Sequence, residues 1–294
     1  MIRVYTVVKK ELFATEVSSQ KEMDDIVGKV KRAWVDCCDL NDEETMIVSG
    51  LLGVDAKTLD GIENGKVRPS YAKCLDEKCP YYTWISTPVV EFAGELKLHP
   101  VSIILKERFL ITLRSEYSSR LVEAALQTFR ALPPEERKPS VILSKLLHLI
   151  IDENSGATVA IRELIDKIEE EALEKPRKKA ITHSIFKLKR GLAALQQLLW
   201  AEKELLSDMD LGVIRNLKLA TEAKLIVEDA MGDVERELEF VDSHNRSLDA
   251  VLRLQESARL LGLIHGVETN LVFLTVILVV FTIILVILEI LSCV

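Results

Sequence analysis

LVFLTVILVVFTIILVILEILSCV, residues 271–294, decides how the rest of the chain is read. Only Thr275, Thr282, Glu289 and Ser292 interrupt it with plainly polar side chains. A helix needs about 20 apolar residues to cross the hydrocarbon of a bilayer. Strands rarely exceed about 10 residues, so the wealth of Val and Ile does not make this stretch a strand. It is expected to be one C-terminal transmembrane helix.

The composition agrees with a chain whose apolar residues are concentrated in one place. Its 294 residues carry 38 Lys+Arg against 46 Asp+Glu, a formal net charge of -8. Charged residues make up 29% and hydrophobic residues 48%, yet mean hydropathy is +0.17. So much aliphatic content excludes a disordered chain. Net acidity argues against a nucleic-acid partner. Five Cys at this length do not form a disulfide framework. The N-terminus, MIRVYTVVKKE, lacks the long uncharged core and small-residue cleavage site of a signal peptide. The N-terminal domain is therefore expected in the cytoplasm, with the last helix in the cell (inner) membrane and the lipid bilayer as a partner.

The polar residues of the tail are ordered. Thr275, Thr282 and Glu289 lie seven apart, and Glu268 extends the series backward. Seven residues are close to two helical turns, so all four share one face. A hydroxyl or carboxylate facing lipid is costly, and such groups usually face a bundle interior or a water-filled path. One helix has no interior, so the stripe predicts self-association around an axis lined by these groups. Their hard oxygens suit hydrated Mg²⁺ and similar cations. A plainer reading stays open: Thr can bond its own helix backbone, and Glu289 can reach the interface.

Upstream, residues 1–130 read as an α+β domain. Residues 30–36 (VKRAWVD) are a strand, Asn41 is the N-cap of a helix with acidic residues in its first turn, and residues 81–87 alternate loosely. Residues 101–105 and 108–114 form the clearest hairpin, turning at Lys106-Glu107. Strand signals stop after Arg114. Residues 131–139 (ALPPEERKP) separate helices. Val141, Leu143, Leu146, Leu147 and Ile150 begin an apolar stripe that Ile161, Leu164, Ile165 and Ile168 continue. Pro176 breaks or kinks this helix. Ile185, Leu188, Leu192, Leu195 and Leu199 form the stripe of the next, so residues 139–211 are expected as paired long helices. A third helix is expected from Gly212, with a stalk over 212–270 that runs into the membrane helix. If unbroken, it spans about 120 Å at 1.5 Å per residue.

Acidic residues crowd the stalk: Glu228, Asp229, Asp233, Glu235, Glu237, Glu239 and Asp242. A run of this kind is either a solvated face or a divalent-cation site whose carboxylates repel until a cation bridges them. Asp233, Glu239 and Asp242 are the expected metal ligands. Cys74 and Cys79, with Cys37, Cys38 and His99 elsewhere, lack the paired spacing of a zinc site. His148, His183, His244 and His265 sit in helices with no second ligand at metal spacing. No GxSxG, phosphate loop or HExxH is present, so nothing supports an enzyme, and no organic cofactor is implied.

Several segments together resemble the CorA-type magnesium channel family. Trp34-Val-Asp36 followed by Asn41-Asp-Glu-Glu44 is similar to its early segment. Arg68-Pro69 and the hairpin fit its cytoplasmic domain. Residues 161–176, then Leu188-Lys-Arg190, Leu195, Trp200 and Glu204-Leu-Leu, resemble its long antiparallel helices. Asp242-Ser-His244 resembles its stalk, and Asn270 with Leu274-Thr275 the entrance to its first membrane helix. The resemblance implies a homopentamer of divalent-cation channels, gated by cytoplasmic cation. Asn270, Leu274, Thr275, Thr282 and Glu289 would line the pore, with Leu274 in an apolar gate. It also implies Gly-Met-Asn at the pore mouth. Ser292-Cys293-Val294 stands at about that point instead, and no second membrane helix follows in this sequence. The chain is thus expected to be either cut at the mouth or a one-span variant. A tail-anchored regulatory or structural protein on the same scaffold is the alternative.

Overall fold

The computed structural model describes residues 1–8, 11–63, 69–73, 82–133, 137–174, 179–214 and 217–292. By proximity along the backbone it divides into two compact units, residues 1–162 with 190–243, and residues 163–189 with 244–294.

The first unit is built on a seven-stranded sheet. Its strands are β1 (Ile2–Val8), β2 (Glu11–Val17), β3 (Ala33–Cys38), β4 (Ser70–Lys73), β5 (Tyr82–Phe92), β6 (Leu96–Lys106) and β7 (Phe109–Arg114), in the order β2-β1-β3-β7-β6-β5-β4. Only β3 and β7 run parallel. The hairpin seen in the sequence is β6–β7. Its turn is Glu107-Arg108, one residue later than expected, because Lys106 pairs with Phe109 and Glu107 takes φ +49. The strand expected at 30–36 starts at Ala33, since Lys29 still closes the preceding helix. Strands β1 and β2 carry no signal in the sequence reading above. β2 is an edge strand, exposed at most positions, and its Glu residues suit an unpaired edge.

Alternation along the strands separates two faces. Ile2, Val4, Ala33, Val35, Ile111 and Leu113 point into a core with α1 (Gln20–Lys29), α2 (Asp42–Leu52) and α3 (Ala56–Glu63). Asn41 caps α2 as expected: its side chain accepts from the Glu44 N–H at 2.9 Å, and Glu44 accepts in return from the Asn41 N–H at 3.1 Å. The other face carries Tyr5, Trp34, Asp36, Leu110, Thr112 and Arg114. Here Arg114 meets Asp36 at 2.8 Å with both side chains buried, the Thr112 hydroxyl donates to Asp36 at 2.7 Å, and Trp34 Nε1 donates to Thr112 at 3.1 Å. The Asp of the WVD segment therefore anchors a buried polar chain. Pairing of this kind is what allows a charge to lie in a core.

After a 3-10 turn, Glu116–Ser118, come α4 (Ser119–Ala131), α5 (Pro139–Glu174), α6 (Lys179–Asp210) and α7 (Thr221–Ser292). The stripes on α5 and α6 are buried as their period requires, apart from a half-exposed Leu164. Within the first unit, α5 and α6 meet where Asn154 donates to Glu202 at 2.9 Å. The start of α7 differs from expectation. Gly212 has φ +68 and its N–H bonds to Met209 O, so it closes α6 in the left-handed conformation that glycine tolerates, and α7 begins at Thr221. Pro176 lies outside the described residues.

In the second unit, the far ends of α5 and α6 are tied to α7. Ser247 donates to Glu169, Thr182 Oγ1 donates to Gln255 Oε1 at 2.7 Å, and Lys189 meets Asp249 at 2.5 Å.

Candidate functional site

The apolar end of α7 is the most exposed part of the molecule. From Leu271 to Leu285 each large apolar side chain keeps at least 39% of its surface, the least being Ile277. A candidate membrane span lies within this helix, with mean hydropathy 2.4 and no burial inside the chain. So many exposed aliphatic side chains require a cover of lipid or of other copies.

The polar series within it is partly satisfied. Thr275 Oγ1 donates to Leu271 O, and Thr282 Oγ1 to Leu278 O, each at 2.7 Å. Each hydroxyl proton is thus taken by the carbonyl four residues back, as the plainer reading of the sequence held. The hydroxyl oxygens remain acceptors. His265 Nδ1 lies 3.8 Å from Glu268 on the same helix. The Glu289 side chain is outside the described residues.

A second cluster lies in the first unit, between α5 and α7. His148 Nε2 is 3.0 Å from Asp233 Oδ2, 3.7 Å from Asp229 and 3.8 Å from Asp152, and Arg236 pairs with the other Asp233 oxygen. One donor atom from each of His148, Asp152 and Asp233 lies within 4.8 Å of the other two. Ligands about 2.0–2.2 Å from a tetrahedral Zn²⁺ sit roughly 3.3 Å from one another, so the spacing is near that of a metal site. The sequence reading left His148 without a second ligand; the structure sets three carboxylates within 3.8 Å of its Nε2. The available signal was the four-residue spacing of His148 and Asp152, which puts both on one helical face; their partners on α7 are 77 and more residues away. Of the expected ligands, only Asp233 joins this cluster. Asp242 accepts from Gln196 at 2.8 Å, and Glu239 is exposed. Nine residues separate Asp233 from Asp242, which sets them on opposite sides of the helix.

The expected cysteine and histidine candidates divide differently. Cys74 and Cys79 lie outside the described residues. His99 is 3.0 Å from Glu91 and stacks on Tyr117 with ring centroids 3.8 Å apart. Cys38 is close to Asp39 and Glu116. Burial pushes its thiol up to about 11, and the Glu116 carboxylate 3.2 Å away adds to the shift, so it sits there as a donor. Glu202 is fully buried, and desolvation pushes its carboxyl up to about 8 against the hydrogen bonds from Asn154 and Thr87.

The family described as "CorA-like Mg2+ transporter protein" matches residues 31–286. The chain belongs to that family. Its members are transporters of Mg²⁺ and other divalent cations, and the apolar end of α7 is the membrane-helix candidate of this one. No curated protein matches the sequence. Solved structures share the fold at low identity. The complete CorA magnesium transporter from Methanocaldococcus jannaschii is 16% identical at a TM-score of 0.70, covering 90% of this chain and 78% of that one. The cytoplasmic domain of ZntB from Vibrio parahaemolyticus RIMD 2210633 is 14% identical at 0.60, covering 87% and 97%. The full-length CmaX protein is 15% identical at 0.63, covering 93% and 84%.

Proposed function

We propose that this CorA-like protein is a homopentameric channel passing divalent cations, Mg²⁺ foremost, down their electrochemical gradient. The observation that carries this is the seven-residue series Thr275, Thr282 and Glu289 in a helix otherwise apolar on every side. Five copies around an axis would turn that series inward, with Asn270 at the entrance and Leu274 as an apolar constriction. The threonine oxygens would face a hydrated cation as acceptors, and Glu289 would supply a carboxylate ring near the mouth. The cell membrane would hold α7, with the sheet domain in the cytoplasm. Reconstituted liposomes test this: Glu289→Ala should lower Mg²⁺ uptake relative to monovalent ions, and unchanged selectivity would sink the carboxylate ring.

Bound cytoplasmic cation would hold the closed state at His148, Asp152, Asp229 and Asp233, leaving Glu239 and Asp242 to a contact between copies. Imidazole with carboxylates suits Zn²⁺, Co²⁺ or Ni²⁺ better than Mg²⁺, which prefers oxygen alone. Zn²⁺ should therefore slow proteolysis of the full chain at lower concentration than Mg²⁺, and His148→Ala should remove the difference. Equal protection by both ions would place the sensor elsewhere. A non-conducting, tail-anchored scaffold is the second reading, favoured by the threonine hydroxyls that bond their own helix.

A further inference from the structure

We infer that Glu202 is a pH-sensitive latch on the sheet domain: protonated, it lets α5 seal the bare edge of β5, and ionised, it releases that seal. Strand β4 pairs with β5 only from Thr83 to Ser86. Past Ser86, no strand among the described residues covers the outer side of β5. A bare run of backbone N–H and C=O groups is a liability in a sheet. Here one side chain of α5 covers it. The Asn154 side-chain oxygen accepts from the Val90 N–H at 2.7 Å, and its Nδ2 donates to Pro88 O at 3.2 Å. Residues 88 and 90 are two apart, so their backbone groups face the same side. Asn154 thus stands where a peptide group of a further strand would, and its amide has a second N–H to give. Pro88 lies opposite Pro100 on β6, and neither has an N–H, so the ladder on the inner side is thin at the same point.

The second N–H goes to Glu202 Oε1 of α6 at 2.9 Å. Thr87 of β5 also bonds this carboxyl. Its other oxygen, Oε2, has no partner among the described residues, and the side chain is buried. An ionised carboxylate there would hold a full charge with one oxygen bare, which costs far more than a bare hydroxyl. No cation faces it among the described residues. Asn154 and Thr87 are neutral, Lys203 turns to Glu235 of α7 at 2.8 Å, Glu91 of β5 pairs with His99 of β6 at 3.0 Å, and Glu153 and Glu204 are exposed. Burial therefore pushes the carboxyl up to about 8, against the hydrogen bonds from Asn154 and Thr87. Once ionised, it is relieved only by water, and water reaches Oε2 only if the helices part from β5. Asn154 then loses its hold, and the edge at Pro88–Val90 opens.

Hydrogen exchange of the full chain in detergent tests this, read on the segments 87–92 of β5 and 109–114 of β7 and corrected for the intrinsic rate at each pH. A carboxyl released to water is ionised above about 4.5, and the buried one stays protonated to about 8, so opening gains about tenfold per pH unit between them. From pH 6 to pH 8 the 87–92 segment should open about fiftyfold more often, while 109–114 holds. Glu202→Gln, neutral at both pH values, should remove the rise. Asn154→Leu should make 87–92 exchange at pH 6 at least as fast as the parent does at pH 8, because Val90 loses its acceptor. Any of four results would overturn the inference: exchange of 87–92 that does not change with pH, an equal rise in 109–114, the same rise in Glu202→Gln, or unchanged exchange in Asn154→Leu. None of them bears on cation conduction, which rests on α7.

Discussion

Helix α7 holds two aliphatic stretches with opposite fates. In the first unit, Ala223, Val227, Ala230, Val234, Leu238 and Val241 recur every three or four residues, and none is more than 8% exposed. From Leu271 to Leu285, apolar residues fill the helix on all sides of Thr275 and Thr282, and each large one stays exposed. The first pattern makes a stripe that its own protein can bury. The second makes a cylinder that only lipid or further copies can cover. Polar groups follow the same division. In the first unit Asp36 with Arg114, and Asn154 with Glu202, are paired across elements, while Thr275 and Thr282 bond the carbonyl four residues back on their own helix.

The sharpest way to break this comparison is to place a carboxylate in each stretch. Val234→Asp should destabilise the folded first unit by about 3 kcal/mol or more, seen in chemical denaturation, because nothing there pairs with it. Val280→Asp, near the middle of the span, should leave that unfolding curve unchanged and instead reduce membrane insertion, at a cost of about 2.5–3.5 kcal/mol. Equal effects on the unfolding curve would show that the two stretches are buried alike.

Arg114→Met should cost a similar or slightly smaller amount, about 3 kcal/mol, by leaving Asp36 charged and unpaired in the core. Adding Asp36→Asn should recover most of it. A variant that melts like the parent would mean the pair contributes nothing to the sheet.

Glu202 sharpens the contrast through pH. Its folded carboxyl titrates near 8, against 4.5 for the unfolded group. Between those values the folded state holds a proton that the unfolded state has lost, so stability falls as pH rises from about 4.5 to about 8 and then levels off. This contribution is fully present below 4.5. Glu202→Gln should flatten that part of the profile, and its advantage over the parent should grow with pH to about 2–4 kcal/mol at pH 8. Parallel profiles would show that Glu202 is not buried as a neutral acid.

Sequence made legible what repeats along the chain. The stripes of α5 and α6, the Asn41 cap, the β6–β7 hairpin and the apolar span all depend on neighbours within a turn or a strand. Partnerships across the sequence were not legible. β1 and β2 gave too short and too mixed a pattern, and β1 earns its place by pairing with β3 as well as β2. The Gly212 boundary was misread because an unbroken run without proline hides a left-handed cap. His148 could not be joined to Asp233, since only the packing of α5 on α7 brings residues 85 positions apart to 3.0 Å.

The claim on which the account turns is that the Thr275–Thr282 face of α7 lines a water-filled path. Single cysteines at Thr275, Thr282, Ile277 and Val280 in liposome-reconstituted full chain, probed with a membrane-impermeant thiol reagent, test it most directly. The account predicts labelling above the parent chain at 275 and 282, slowed by Mg²⁺, and none at 277 and 280. Equal and negligible labelling at all four positions would contradict it and leave α7 as an anchor.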